Sequence, residues 1–330
     1  MSLGVFPLGA PRVVIMMPVR DDWQSAAELI RLLDKSVSQS IDAIEVLIID
    51  DGSVQQCKPR ELVSDFKTVR SIQTLRLRRN VGHQRAIAIG LSYLQKMGAC
   101  DAVVVMDADG EDTPDGVVRL LESFSASGGD KAIFAERRRR SESLVFRSFY
   151  FLYRALHRGL TGISVKVGNF SVLPSKHLDT LVVMNELWNH YAAAVFRSKL
   201  PFVLVPIPRG HRIAGKSKMN FVALVAHGLS AISVFGDIIG VRILIASLVG
   251  SGLAGLGILA AVLIRVLTNR AIPGWATYAT GTLAIIMMQF LTIAASFTFF
   301  VLSNRSSAGF LPARDYALFV GEIRSIYPHE

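Results

Sequence analysis

Two long apolar runs near the C-terminus constrain this chain more than any other feature of its sequence. The run Ile243–Ile264 contains no charged residue, and a second uncharged run extends from Trp275 to Asn304. At about 1.5 Å per residue, each run is long enough as a helix to cross a hydrocarbon layer roughly 30 Å thick. The sequence therefore predicts a helical hairpin through a bilayer; the alternative is a pair of buried helices in a soluble bundle.

The distribution of positive charge predicts how this hairpin is oriented. The chain has a formal net charge of +10. The link between the runs holds only Arg270, or Arg265 as well if that residue lies beyond the first helix. Basic residues on the other side are more numerous: Arg209, Arg212, Lys216, Lys218, Arg242, Arg305 and Arg314. The positive-inside rule then places the N-terminal part of the chain and both termini in the cytosol.

Apolar runs alternate with helical segments in the N-terminal part of the chain. The predicted strands are Val13–Met17, Ile44–Ile49, Ile72–Leu77, Ala102–Met106, Ala132–Ala135, Gly168–Pro174 and Phe202–Ile207. Helical spacing follows the first strand, at Trp23–Leu33, and the third, up to Met97. Such alternation predicts an α/β fold with a doubly wound, mainly parallel sheet.

Four carboxylates follow one predicted strand in the turn Asp107-Ala108-Asp109-Gly110-Glu111-Asp112. Ligands of open α/β sheets bind at the carboxyl ends of strands, and clustered carboxylates repel one another unless a cation lies among them. Mg²⁺ and Mn²⁺ take oxygen ligands and share them with substrate phosphates. The turn therefore predicts a metal site for a nucleotide diphosphate, with Asp107, Asp109 and Glu111 as ligands. The alternative is a solvated turn in which Asp112 or Thr113 caps the next helix.

Other polar stretches are candidate binding sites. Asp50 and Asp51 end a predicted strand and suit hydrogen bonds to a ribose or a base, although a plain Asx turn is the alternative. The runs Arg137–Arg140 and Arg209–Lys218 are candidate phosphate sites, because guanidinium groups bind phosphate oxygens in pairs. Their alternatives are a solvated basic patch and a juxtamembrane stretch attracted to anionic lipid.

Four motifs occur in order along the chain. They are Ile44–Ser53, Arg79-Asn80-x-Gly82, Asp107-Ala108-Asp109 and Arg212-x-x-Gly215-x-Ser217-Lys218. Together they resemble the polyprenyl-phosphate glycosyltransferases of glycosyltransferase family 2, which have a GT-A fold and include dolichyl-phosphate mannose synthases and bactoprenol glucosyltransferases. The bacterial type, with two transmembrane helices after the catalytic domain, resembles this chain over nearly its whole length.

The resemblance implies which residues carry the chemistry. Asp107 and Asp109 would hold the metal on the diphosphate, and Glu111 stands where the family often has Gln as a further ligand. Arg212 and Lys218 would bind phosphate, and with Asp109 they form the implied catalytic set.

The resemblance also implies the substrate contacts. Pro18, Asp22 and Asp51 would contact the nucleotide together with Asp107. Arg137 and Arg140, from the arginine run, would bind the acceptor phosphate. The chain departs from the family at Asp22, in a first loop that usually reads Asn-Glu-Glu, and after the metal motif. Those departures leave the base and the sugar open.

The expected function is an inverting, metal-dependent transfer of a sugar from a nucleotide-diphosphate sugar to polyprenyl phosphate. The donor would resemble UDP-glucose or GDP-mannose, the cofactor would be Mg²⁺ or Mn²⁺, and the location would be the cytoplasmic face of a bacterial inner membrane. Nucleic acid is not an expected partner, and the sequence leaves open whether the protein forms a homo-oligomer. The alternatives are a processive polysaccharide synthase and a non-catalytic membrane scaffold on the same fold.

These expectations divide the chain into four parts. Residues 1–219 would form a cytosolic catalytic domain and residues 220–240 an amphipathic juxtamembrane helix. Residues 241–304 would form the two transmembrane helices, and residues 305–330 a cytosolic tail.

Overall fold

The computed structural model describes residues 12–37, 43–55, 57–98, 100–137, 167–214, 221–268, 272, 274–306 and 309–328. The chain divides into two compact units. Of the described residues, those within 12–137, 167–234 and 309–328 form the first unit, and those within 235–306 form the second. The C-terminal residues therefore belong to the same unit as the N-terminal residues.

The first unit is built on an eight-stranded sheet. In chain order its strands are β1 (Val13–Val19), β2 (Ile44–Asp50), β3 (Val69–Leu77), β4 (Ala102–Val105), β5 (Ala132–Arg137), β6 (Val167–Pro174), β7 (Phe202–Ile207) and β8 (Val320–Tyr327). Across the sheet they lie in the order β7-β5-β6-β4-β1-β2-β3-β8. Strands β4, β1, β2 and β3 are parallel, as are β5 and β7, whereas β6 and β8 run antiparallel to their neighbours. The predicted α/β fold with a mainly parallel sheet is confirmed.

Helices of the first unit pack against the two faces of this sheet. Among the described residues, the α-helices of both units are, in chain order, α1 (Trp23–Val37), α2 (Pro59–Leu62), α3 (His83–Met97), α4 (Pro114–Ala126), α5 (Leu178–Leu181), α6 (Tyr191–Arg197), α7 (Phe221–Ser233), α8 (Gly236–Leu267), α9 (Trp275–Ser306) and α10 (Pro312–Asp315). Successive side chains of a strand point to opposite faces. Ile15 of β1 lies in the core that includes α1 and α4, whereas Met16 lies in the core that includes α3. Every residue of β1 is buried for this reason.

The parallel strands direct three polar loops to one edge of the sheet. Strands β2 and β4 flank β1 and run in its direction. Their carboxyl ends therefore lie side by side, and they are followed by Asp51 and Asp107, while Asp22 follows β1. The alternation of strands and helices thus brings carboxylates that are distant in sequence to the edge where open α/β sheets bind ligands.

The C-terminal segment adds a strand that the sequence pattern does not predict. Residues 305–330 are expected to form a tail, whereas in the structure β8 pairs with β3 at the edge of the sheet. Ile326 alone is buried among the residues of β8. An exposed edge strand of this kind lacks the alternation of apolar and polar residues from which strands are recognised.

The second unit contains the two long apolar helices. Helix α8 has 32 residues, and the apolar part of α9, Trp275–Ser303, has 29 residues. Each contains an 18-residue stretch of high mean hydropathy, 2.2 in α8 and 2.1 in α9. Both are long and apolar enough to cross a membrane, by length and composition. They pack closely against each other: a Cβ on Gly250 would lie 2.8 Å from the ring of Phe290. The segment predicted as one juxtamembrane helix is divided, since α7 ends at Ser233 and α8 begins at Gly236.

A buried carboxylate ties α1 to the start of β3. Asp34 is 7% exposed and accepts hydrogen bonds from the backbone N–H groups of Lys67 at 3.0 Å, Thr68 at 2.7 Å and Val69 at 3.0 Å. Burial alone would raise the pKa of Asp34, but the three N–H donors outweigh it and hold that pKa below its ordinary value. The ionised form is therefore the one that stabilises the fold.

Replacing Asp34 with alanine should lower the free energy of unfolding by about 2–3 kcal/mol, because buried N–H groups lose their acceptor. The wild-type contribution should be fully present above the unfolded pKa of about 3.9 and lost as the pH falls through the lower folded value. Thermal unfolding of the purified protein, followed as a function of pH, measures both effects. The control is Asp65→Ala at an exposed site nearby; equal melting temperatures for the two variants would contradict this role.

Candidate functional site

The acidic turn after β4 is held together by its own hydrogen bonds. The backbone N–H of Asp107 donates to Asp112 Oδ2 at 2.9 Å, and that of Glu111 donates to Asp109 Oδ1 at 2.9 Å. Asp112 is 3% exposed, so it supports the turn from inside. Thr113 caps α4 by accepting a hydrogen bond from the N–H of Gly116. Of the two caps considered from the sequence, Thr113 is therefore the helix cap.

A basic loop after β7 lies directly on this turn. The backbone N–H of Gly210 donates to the carbonyl of Glu111 at 2.8 Å, and that of Ile213 donates to the carbonyl of Asp109 at 2.9 Å. The contact is close: a Cβ on Gly210 would lie 2.6 Å from the carbonyl oxygen of Gly110. The loop thus carries its arginines to the carboxylates.

Arg212 connects two of the carboxylates. Its Nη2 lies 2.6 Å from Asp109 Oδ2, and its Nη1 lies 3.4 Å from Asp22 Oδ2. Burial and the charge of Asp107 raise the pKa of Asp109, and the charge of Arg212 opposes them. The Nε of Arg212 is buried, and none of the described residues accepts a hydrogen bond from it. Arg212 therefore offsets part of the electrostatic repulsion between Asp22 and Asp109. Its Nε–H group can still donate a hydrogen bond to a ligand.

The predicted metal ligands do not share one arrangement. Asp107 and Asp109 both lie at the end of β4, but Glu111 forms an ion pair with Arg209. Among the residues that the structure describes, no three His, Cys, Asp or Glu side chains lie together as a metal-binding group. Of the three predicted metal ligands, Asp107 and Asp109 therefore remain as the candidate pair. The carboxylate of Glu111 is directed towards the guanidinium of Arg209 instead.

The residues predicted to contact the nucleotide lie at the same carboxyl edge of the sheet, but each makes different contacts within the protein. The Asp51 carboxylate is 4% exposed and accepts hydrogen bonds from the backbone N–H of Val81 at 2.7 Å and of Gly82 at 3.0 Å. Burial raises its pKa above the ordinary value despite these donors. Asp22 Oδ1 accepts a hydrogen bond from Ser25 in the first turn of α1. Pro18 is buried within β1. Of Asp51, Asp22 and Pro18, Asp22 is therefore the residue that shares the Arg212 guanidinium with Asp109.

A chain of polar side chains that reaches Asp107 was not predicted from the sequence. His83 Nε2 lies 3.1 Å from Asp107 Oδ1 and 2.9 Å from Asn169 Nδ2. Gln84 donates to Asn169 Oδ1 and accepts from the backbone N–H of Tyr191. The feature of the sequence that could have indicated this contact is the position of His83. It directly follows Gly82, at the start of α3 and at the carboxyl edge of the sheet.

Three predicted phosphate contacts are not tested by this geometry. Arg137 ends β5, but its side chain lies outside the described residues, as do Arg140 and Lys218. Their roles stay predictions.

Comparison with known proteins gives a consistent result. Residues 14–181 match the family described as Glycosyl transferase family 2. The chain is 26% identical over 292 residues to an undecaprenyl-phosphate 4-deoxy-4-formamido-L-arabinose transferase of Salmonella choleraesuis (strain SC-B67), covering 87% of this chain and 85% of the relative. It is 24% identical over 270 residues to the uncharacterized glycosyltransferase YkcC of Bacillus subtilis (strain 168), covering 80% of each.

Among solved structures, the chain resembles the glucosyl-3-phosphoglycerate synthase from Mycobacterium tuberculosis, solved in complex with Mn²⁺, uridine-diphosphate and phosphoglyceric acid. The TM-score is 0.48 at 16% sequence identity, over 70% of this chain and 79% of that one.

Replacing Gly210 with alanine should displace the basic loop from the acidic turn, because the new Cβ meets the Gly110 carbonyl. Cleavage by trypsin after Arg209 and Arg212 should then become faster in the folded protein. The matched control is Gly281→Ala, where a Cβ meets nothing within 4 Å. Identical cleavage rates for the two variants would show that the close contact does not hold the loop.

Proposed function

Because the chain belongs to glycosyl transferase family 2, we propose that it transfers a sugar from a nucleotide-diphosphate sugar to polyprenyl phosphate. The acceptor class follows the relative named as an undecaprenyl-phosphate sugar transferase, which is similar along 87% of this chain. The observation that carries the proposal is the junction of Asp109, Arg212 and Asp22 at the carboxyl edge of the sheet. It combines acidic and basic groups where a metal-bound diphosphate would need both.

Asp107 and Asp109 would hold the metal ion. Two carboxylates completed by diphosphate oxygens form the all-oxygen donor set that Mg²⁺ and Mn²⁺ prefer. Burial and mutual repulsion, which raise the pKa of Asp109, are the conditions that a divalent cation relieves. When bound, such an ion stabilises negative charge on the leaving diphosphate as a Lewis acid. Glu111, paired with Arg209, would act from outside this set.

Basic side chains would hold the two phosphate-bearing substrates. The buried Nε of Arg212 can donate to a diphosphate oxygen, which would satisfy a group that the described residues leave without an acceptor. Lys218 would add a second contact to the diphosphate, and Arg137 and Arg140 would bind the acceptor phosphate.

The transfer itself exchanges one bond for another at the sugar. An oxygen of the polyprenyl phosphate attacks the anomeric carbon as the bond from that carbon to the diphosphate oxygen breaks, and the configuration inverts. The second pKa of a phosphate monoester is about 6, so the attacking oxygen is already ionised near neutral pH. The protein therefore needs to position and neutralise charge, and no side chain has to remove a proton.

The apolar helices would place this reaction at a membrane. Helices α8 and α9 are candidate spans, and a membrane anchor concentrates the enzyme where its lipid acceptor lies. The charge distribution of the sequence favours a bacterial inner membrane protein with the first unit and both termini in the cytosol.

Asp109→Ala should lower sugar transfer by about a hundredfold or more, because both the metal site and the partner of Arg212 are lost. Transfer by the wild-type protein should also disappear with EDTA and return with Mg²⁺ or Mn²⁺. The measurement is formation of labelled polyprenyl-phosphate sugar by the purified protein. Asp115→Ala, an exposed change in the first turn of α4, is the control; near-normal turnover of the Asp109 variant would sink the assignment.

The orientation predicts which positions a membrane-impermeant maleimide reaches in intact cells. With Cys57 and Cys100 replaced by serine, Ile272→Cys should be labelled from outside, because Ile272 is 75% exposed and lies between the spans. Val54→Cys, at a position that is 85% exposed, should react only after the membrane is permeabilised. Labelling of position 54 in intact cells would refute the cytosolic location of the first unit.

A further inference from the structure

A cavity of about 410 Å³ lies beside the Asp51 turn, within the first unit. One wall is formed by Gly52, in the turn after β2, and a second by Arg76 and Arg79 at the end of β3. The third wall comes from Gly321 and Glu322 of β8. One wall of this open cavity is therefore formed by residues that follow the apolar helices in sequence and lie outside the 14–181 range that matches the family.

The C-terminal segment holds the turn that follows β3. The backbone N–H of Arg78 donates to the carbonyl of Phe319 at 2.8 Å, and Arg78 Nε donates to the carbonyl of Val320 at 3.0 Å. The guanidinium of Arg79 lies 5.8 Å from the centre of the Phe319 ring, within the range of a cation–π contact. Phe319 in turn packs against Trp188, with ring centres 5.2 Å apart.

The same turn positions Asp51. Val81 and Gly82 donate their backbone N–H groups to the Asp51 carboxylate. A Cβ on Gly52 would lie 2.5 Å from the backbone N of Asn80, so the two turns are in close contact. A displacement of Phe319 would therefore also displace Asp51, because the backbone of residues 78–82 contacts both.

The chemistry of the cavity fits an anionic ligand with a planar ring. Arg76, Arg78 and Arg79 all line it, and guanidinium groups both bind phosphate oxygens and stack on aromatic rings. Glu322, the acidic residue of the lining, forms an ion pair with Arg324. A nucleoside diphosphate supplies both features, since it carries negative charge and a base.

We propose that residues 316–322 form part of the donor site, with Phe319 as a positioning residue for Arg79 and the Asp51 turn. The cavity takes the nucleoside end of the donor, and the diphosphate extends from it to the carboxylates at the end of β4. This inference rests on the proposed function, because it assigns the C-terminal segment to the donor site of that reaction. A protein cut off after the apolar helices would lack one wall of the site.

The test measures binding rather than transfer. The dissociation constants of UDP and of GDP, each with Mg²⁺, are determined by calorimetry for the full-length protein in detergent. Phe319→Ala and Arg79→Gln should each weaken binding of the preferred nucleotide by about three- to tenfold, because an aromatic contact or a charged hydrogen bond is lost. Two controls leave the cavity intact: Phe66→Ala, whose ring contacts Tyr327 near the far end of β8, and Arg60→Gln on α2.

Each outcome decides the proposal. Weaker binding for the two test variants with unchanged binding for the controls supports it. Unchanged dissociation constants in both test variants overturn it, as does a wild-type protein that binds neither nucleotide. If Phe319→Ala does not fold, Arg79→Gln decides, because its exposed side chain is outside the core. A wild-type protein that binds nucleotide through Arg79 but transfers no sugar would refute the proposed function, while the assignment of the cavity as a nucleotide site would stand.

Discussion

Repulsion among carboxylates at one edge of the sheet is the constraint on which the site depends. Parallel strands bring Asp22 and Asp109 together from distant parts of the sequence, and Asp107 adds a third charge next to Asp109. In this structure the repulsion is offset by Arg212, which reaches both Asp22 and Asp109. The hydrogen bonds of Gly210 and Ile213 hold its loop against the acidic turn. The site is thus a cluster of carboxylates that Arg212 partly neutralises, and the acidic and basic residues come from distant parts of the sequence of the first unit.

Much of this arrangement could be predicted from the sequence. The strands β1 and β4 are continuous apolar runs because both faces are covered, and β2 is mainly apolar although it contains Glu45. Their positions and the edge at which they end were therefore evident. Asp109 and Arg212 were both singled out, but their contact was not, because it depends on how the loop after β7 returns to the turn after β4. Glu111 was expected to bind metal, and its pairing with Arg209 depends on the same loop.

Other features left little trace in the sequence. Strand β8 is an exposed edge strand in which Ile326 alone is buried, so no apolar pattern revealed it. His83 reaches Asp107 only because Gly82 ends the turn and α3 begins there. Asn169 and Gln84, which complete that chain, lie on a strand and a helix that no local pattern connects. Long-range pairing, rather than local preference, decides such contacts.

The product of the reaction tests the central claim most directly. Purified protein with polyprenyl phosphate, Mg²⁺ or Mn²⁺ and a panel of UDP- and GDP-sugars should form one lipid-linked sugar. NMR of its anomeric centre should show the configuration opposite to that of the donor. No lipid-linked product from any donor, or a product that retains the donor configuration, would contradict the account.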